Sequence, residues 1–130
     1  MDRKLTKAQA LRALEWARCE FGLHSWVINL DYGDDIPEWA DSAVTYRTRL
    51  GRCQYWVADC DARIWVGPTN CDRNDQDRLV VLMHEVAHIS LAKAGLDSDA
   101  TDGDDKEFLC NRMGDLAAFA YRHKMKPWRR

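Results

Sequence analysis

Leu79-Val80-Val81-Leu82-Met83-His84-Glu85-Val86-Ala87-His88-Ile89-Ser90-Leu91 is the stretch from which the rest of the chain can be read. A helical period begins near Asp75 and runs to Gly95, and it is apolar on nearly every side. Such a helix has to be central and covered from several directions. Two histidines and a glutamate inside it are costly unless they find partners. His84 and His88 are four residues apart, so both imidazoles leave one face about one turn from each other. That spacing suits two nitrogen ligands on a single zinc ion. Glu85 lies too far round the helix to join the pair and is placed to contact a water at the metal, as a general base.

A catalytic zinc takes three protein ligands and keeps a fourth position for water. Glu107 is the best third ligand, at 107 − 88 = 19 residues after the second histidine. The acidic loop between them is long enough to reverse the chain and lay two helices side by side. Asn111 is one turn beyond Glu107, where it is expected to hydrogen-bond a ligating histidine. Gly114 and Ala118 continue that face with small side chains that let the helices approach. A variant of this reading takes the third ligand from Asp102, Asp104 or Asp105 instead.

Upstream, Thr6-Lys7-Ala8-Gln9 reads as an N-cap, Ala10, Leu11, Leu14, Ala17 and Phe21 follow at helical spacing, and Gly22 is the stop. Strands are expected at 26–30, 43–47, 53–58 and 62–66, with a loop at 31–38 and a hairpin connection at 50–52. Short links favour antiparallel pairing. A last helix is expected over about 106–124. The fold class is therefore α+β in one domain, 1–130: an N-terminal helix, a small sheet of three to four mostly antiparallel strands, a central helix and a C-terminal helix.

Composition agrees with a soluble globular domain: 46% hydrophobic, 31% charged and a net charge of −2 over 130 residues. A mildly acidic chain has no phosphate-gripping stripe, so nucleic acid is not an expected partner. The basic tail 122–130 complements a helix C-terminus. No apolar run approaches the roughly 20 residues of a membrane span, and the N-terminus has no apolar signal region, so a cytoplasmic protein is expected. Five cysteines without a CxxC pair argue against both a disulfide framework and a cysteine zinc cluster. Trp26, Trp56 and Trp65 fall on proposed strands, and core packing accounts for at least two of them.

His84-Glu85-Val86-Ala87-His88 followed by Glu107-Phe108-Leu109-Cys110-Asn111 resembles the gluzincin metallopeptidases, the thermolysin-like group. These pair HExxH with a downstream glutamate heading a Glu-x-x-x-Asp segment, and Asn111 stands here where aspartate is usual. The resemblance covers about 64–118 and implies a minimal zincin-like core of the kind found in phage and bacteria. It implies one Zn2+ per chain, held by His84, His88 and Glu107, with Glu85 as the base that activates water to hydrolyse a peptide bond. It also implies a peptide or protein substrate, paired with an edge strand for which 62–66 is the candidate. An oxyanion-stabilising Tyr, His or Arg is usual in that family; His123, Tyr121, Tyr46 and His24 are the open choices. A zinc-containing peptide- or protein-binding module without turnover is the alternative. Oligomeric state is not legible.

Overall fold

Thr6 starts the first helix by a reciprocal cap. Its hydroxyl accepts from the Gln9 amide at 3.1 Å, and the Gln9 side chain accepts from the Thr6 amide at 2.9 Å. Amide groups that lack helical partners are satisfied this way. The helix, α1 (Lys7–Glu20), buries Ala10, Ala13, Leu14 and Ala17, and leaves Leu11 on its outer side. It closes at Gly22, where the Leu23 amide returns to the Arg18 carbonyl. The computed structural model describes residues 5–33, 35–40, 51–67, 77–96 and 103–125.

Three strands follow: β1 (Val27–Tyr32), β2 (Gly51–Trp56) and β3 (Asp61–Val66). They form one sheet in the order β1-β3-β2. β2 and β3 are an antiparallel hairpin, turned by a short 3-10 segment at Val57–Asp59 and by Cys60 in the left-handed region (φ 52°). β1 and β3 are parallel, from Val27↔Asp61 to Tyr32↔Val66. The sheet is therefore mixed, which corrects the expectation of mostly antiparallel pairing. The chain between β1 and β2 is long enough for a crossover, so β2 is laid down at the far side and β3 returns to the middle. The expected hairpin turn at 50–52 is instead the start of β2, since Gly51 and Arg52 are both in the ladder. The expected strand at 43–47 lies outside the described residues.

One face of the sheet is covered by α2 (Arg78–Lys93), the apolar helix of the opening stretch. Asp77 caps it, accepting from the Leu79 amide at 3.0 Å. Leu82, Met83, Val86 and Ile89 are fully buried and share one core with Ala62, Ile64 and Val66 of β3. Each such aliphatic side chain contributes about 1.5–3 kcal/mol by burial. Trp26 and Trp65 are core residues, and Trp65 donates its indole N–H to the Gly33 carbonyl; Trp56 is half exposed. The last helix, α3 (Gly103–Met125), packs on α2, and α1 packs on both. Among the described residues no helix is long and apolar enough to cross a membrane.

Candidate metal centre

Three contacts along α2 and α3 set how the two helices meet. At one end Asp77 receives the Arg122 guanidinium at 2.5 and 2.7 Å. Midway, Gly114 faces the α2 backbone so closely that a Cβ there would lie 3.0 Å from the His84 backbone nitrogen and 3.2 Å from the Val80 carbonyl oxygen. At the other end Ala87, Leu91 and Cys110 form a small buried cluster. The helices are thus antiparallel, and their register brings Glu107 over His84 and His88.

The three side chains converge. His84 Nε2 and His88 Nε2 are 3.2 Å apart. Glu107 sends Oε1 to within 3.2 Å of His84 Nε2, and Oε2 to within 3.1 Å of His88 Nε2. Ligands about 2.05 Å from a tetrahedral ion are about 3.3 Å from one another, and the His84–His88 separation matches such an edge. Glu107 meets the two nitrogens with different oxygens, and one donor atom from each residue lies within 4.8 Å of the others. Each imidazole can donate to its own carboxylate oxygen, which accounts for the two Glu107 contacts; the 3.2 Å approach of the two ring nitrogens is the contact those bonds leave over and a shared ion would explain. The imidazoles are only 15% and 13% exposed, whereas Glu107 is 54% exposed, so the group opens to solvent on the Glu107 side. Among the described residues no other group of His, Cys, Asp or Glu side chains gathers in this way.

The charges answer one another. Hydrogen bonds from His84 and His88 hold the Glu107 carboxyl well below the usual carboxylate range. Burial alone would lower the His88 pKa, but hydrogen bonds with Cys110 and Glu107 and the Glu85 charge outweigh it and push it up to about 11. Glu85 is 7% exposed, and burial raises its pKa despite the opposing pull of His84, His88 and a hydrogen bond with the Cys53 thiol. Its stem lies against β2, where Gly51 makes room: a Cβ there would be 3.3 Å from Glu85 Cγ and 2.7 Å from Val81 Cγ1.

Several expected positions fall elsewhere. Asn111 is exposed and its side chain makes no hydrogen bond among the described residues; Cys110, one residue earlier on α3 and buried against α2, is the residue that meets His88. Asp105 is exposed and outside the convergent group, while Asp102 and the Asp104 side chain lie outside the described residues. Tyr121 and His123 are 14 and 16 residues along α3 from Glu107, about 21 and 24 Å at the helical rise. Tyr121 is buried against Trp16 and His123 stacks on Phe119. His24 is exposed in the turn after α1, next to the Gly22–Leu23 stop rather than the convergent group. Tyr46 lies outside the described residues. The expected substrate edge, 62–66, is the central strand; β1 and β2 are each paired on one side only among the described residues, and of the two β2 is the one that flanks α2. Comparison with protein-family models, curated proteins and solved structures gave no match.

Proposed function

We propose that this chain is a zinc-dependent metallopeptidase of the gluzincin type, with one Zn2+ held by His84, His88 and Glu107. The observation that carries the reading is the convergence of His84, His88 and Glu107, one donor atom from each within 4.8 Å of the others and the two ring nitrogens 3.2 Å apart, with Glu85 on the same helix beside them. Two imidazole nitrogens and a carboxylate oxygen are a ligand set zinc takes in hydrolases, and they leave its fourth position open. When bound, the ion would polarise a carbonyl oxygen and bring the pKa of water at the site toward about 7.

Glu85 has the protein's part of the chemistry. Its carboxylate accepts a proton from water and returns it to the leaving amine, and a carboxyl raised by burial is better matched to that exchange near neutral pH. Cys53 holds the carboxylate by a hydrogen bond, and the small Gly51 lets it lie against β2. The substrate is a peptide or protein segment that adds as a strand along β2, with no nucleic acid or membrane involved. We place the protein in the cytoplasm, a compartment that suits Cys19, Cys53, Cys60 and Cys110 as free thiols.

A second reading is a zinc-containing module that binds peptide without cutting it. It is favoured by the position of Tyr121 and His123, too far along α3 to stabilise an oxyanion. Two variants separate the readings. Glu85→Gln is expected to keep zinc and fold and to lose about 10²–10⁴-fold in hydrolysis of a peptide library. Glu107→Gln is expected to lose metal and activity together. Wild-type cleavage by Glu85→Gln refutes the mechanism, and a wild type that cuts nothing in the library puts the binding module first.

A further inference from the structure

The last helix is apolar on two opposite sides. Glu107, Cys110, Gly114, Ala118 and Tyr121 step along α3 by three or four residues and turn toward α2 and α1. At 100° per residue, Asp105, Leu109, Arg112, Leu116, Phe119 and His123 cluster about 180° away from them. That outer stripe faces solvent: Leu109 is 46% exposed, Leu116 64% and Phe119 68%, with Phe108 at 64% along its border. The four side chains leave roughly 400 Å² of apolar surface, as much as a monomer ordinarily shows in one patch. The stripe runs into a hollow of about 290 Å³ between α1 and α3, lined by Trp16, Phe21, Met113 and Leu116 among others. A ridge beside a hollow on one surface is the shape two identical faces need to interlock.

We infer that this stripe is where two copies of the chain meet, α3 against α3, antiparallel across a two-fold axis near Gly114. Charge chooses the occupant and the register. The exposed stripe carries Asp105 at its start and His123 at its end, with Lys124 on one border and Arg122 turned to Asp77 on the other side, so only an antiparallel second copy sets acid against base at both ends. Arg112 and Asp115 are exposed near its centre and form no ion pair among the described residues. With the axis near Gly114, residues whose numbers sum to about 227 face one another. Arg112 then meets Asp115 of the second copy, Phe108 meets Phe119 of the second copy, and Leu109 packs beside that ring. A shift of one turn would set Arg112 against its own copy and lose both aromatic pairs. Standard interfaces bury about 800 Å² per partner, so the apolar stripe is about half of what such an interface needs and the charged side chains along its border would have to be covered with it. The inference does not depend on the metal or on turnover, since the stripe lies opposite the donor side chains.

Sedimentation of the full chain from 1 to 100 µM tests it. The wild type is expected at twice the monomer mass, and Phe119→Lys at the monomer mass. Arg112→Asp should weaken the dimer at least about tenfold by setting like charges together, and Arg112→Asp with Asp115→Arg should restore it. The charge variants keep the test valid if Phe119→Lys fails to fold, and unchanged circular dichroism and metal content verify the fold. A wild type that stays monomeric at 100 µM overturns the inference. So does a dimer indifferent to Phe119→Lys, or a double charge reversal that fails to recover what Arg112→Asp loses.

Discussion

Replacing Gly114 by alanine adds one methyl group where α3 crosses α2, and its effect follows from two opposed quantities. In an unobstructed helix the change stabilises by up to about 1 kcal/mol, because alanine loses less backbone freedom than glycine. Here the new Cβ would stand 3.0 Å from the His84 nitrogen, 3.1 Å from its Cα and 3.2 Å from the Val80 carbonyl oxygen. All three atoms belong to the α2 backbone, which has no rotamer to yield with, so the helices must separate by a few tenths of an ångström. Overpacking of that kind costs about 1–3 kcal/mol. The balance is a loss of about 0–2 kcal/mol, or a melting temperature lower by up to about 8 °C for a chain of this size. The sharper readout is the metal. Glu107 lies two turns before Gly114 on the same side of α3, so lifting the helix draws its carboxylate from the histidines. Zinc affinity, measured by competition with a chromophoric chelator, is expected to fall about 10–100-fold, the usual effect of disturbing a ligand's support. A Gly114→Ala variant that melts higher and binds zinc as tightly as wild type would refute the close crossing and its role in aiming Glu107.

Removing the metal should lower the melting temperature while leaving helix content largely intact, because the ligands join two helices that are also held by apolar packing. An unchanged melting curve after confirmed zinc loss would count against a site shared between α2 and α3. The pH dependence has a definite sign. His88 rises from 6.5 to about 11 in the metal-free chain, so its contribution to stability is complete below about pH 6.5 and disappears as pH climbs through 11. Zinc must displace that proton, so affinity should rise about tenfold per pH unit between pH 7 and 9. Calorimetry in buffers of different ionisation enthalpy should find about one proton released per zinc at pH 7.5, and none released would contradict the assignment.

The central helix was legible because its signal is local: a nearly unbroken apolar period from Leu79 to Leu91 with four polar exceptions admits few arrangements. The Thr6–Gln9 cap and the Gly22 stop were legible for the same reason. Strand order was not. Whether β3 lies at the edge or in the middle depends on where a chain segment returns after a long connection, and alternation within Asp61–Val66 is the same in both cases. Its continuous burial at Ile64, Trp65 and Val66 was the available clue, since strands covered on both sides lose their alternation. Gly51 looked like a turn residue and is a strand residue made small by the approach of Val81 and Glu85. Asn111 is a step of four from Glu107, whereas the packing against α2 uses a step of three, which brings Cys110 to His88. Beyond Glu107 the run Cys110, Gly114, Ala118 carries small or apolar residues throughout, and that pattern identifies the inner face. Cys53 meets Glu85 only through the pairing of β2 beside α2, which no local pattern encodes.

The central claim is that His84, His88 and Glu107 hold one zinc ion, and elemental analysis of purified protein tests it most directly. Wild type and Glu85→Gln are expected to carry about one zinc per chain, because three ligands fill one tetrahedral site and Glu85 is not among them. His88→Ala is expected to carry none while keeping its helical circular dichroism. A His88→Ala protein that retains full zinc stoichiometry, or a folded wild type that takes up no zinc from a zinc-containing buffer, would contradict the account.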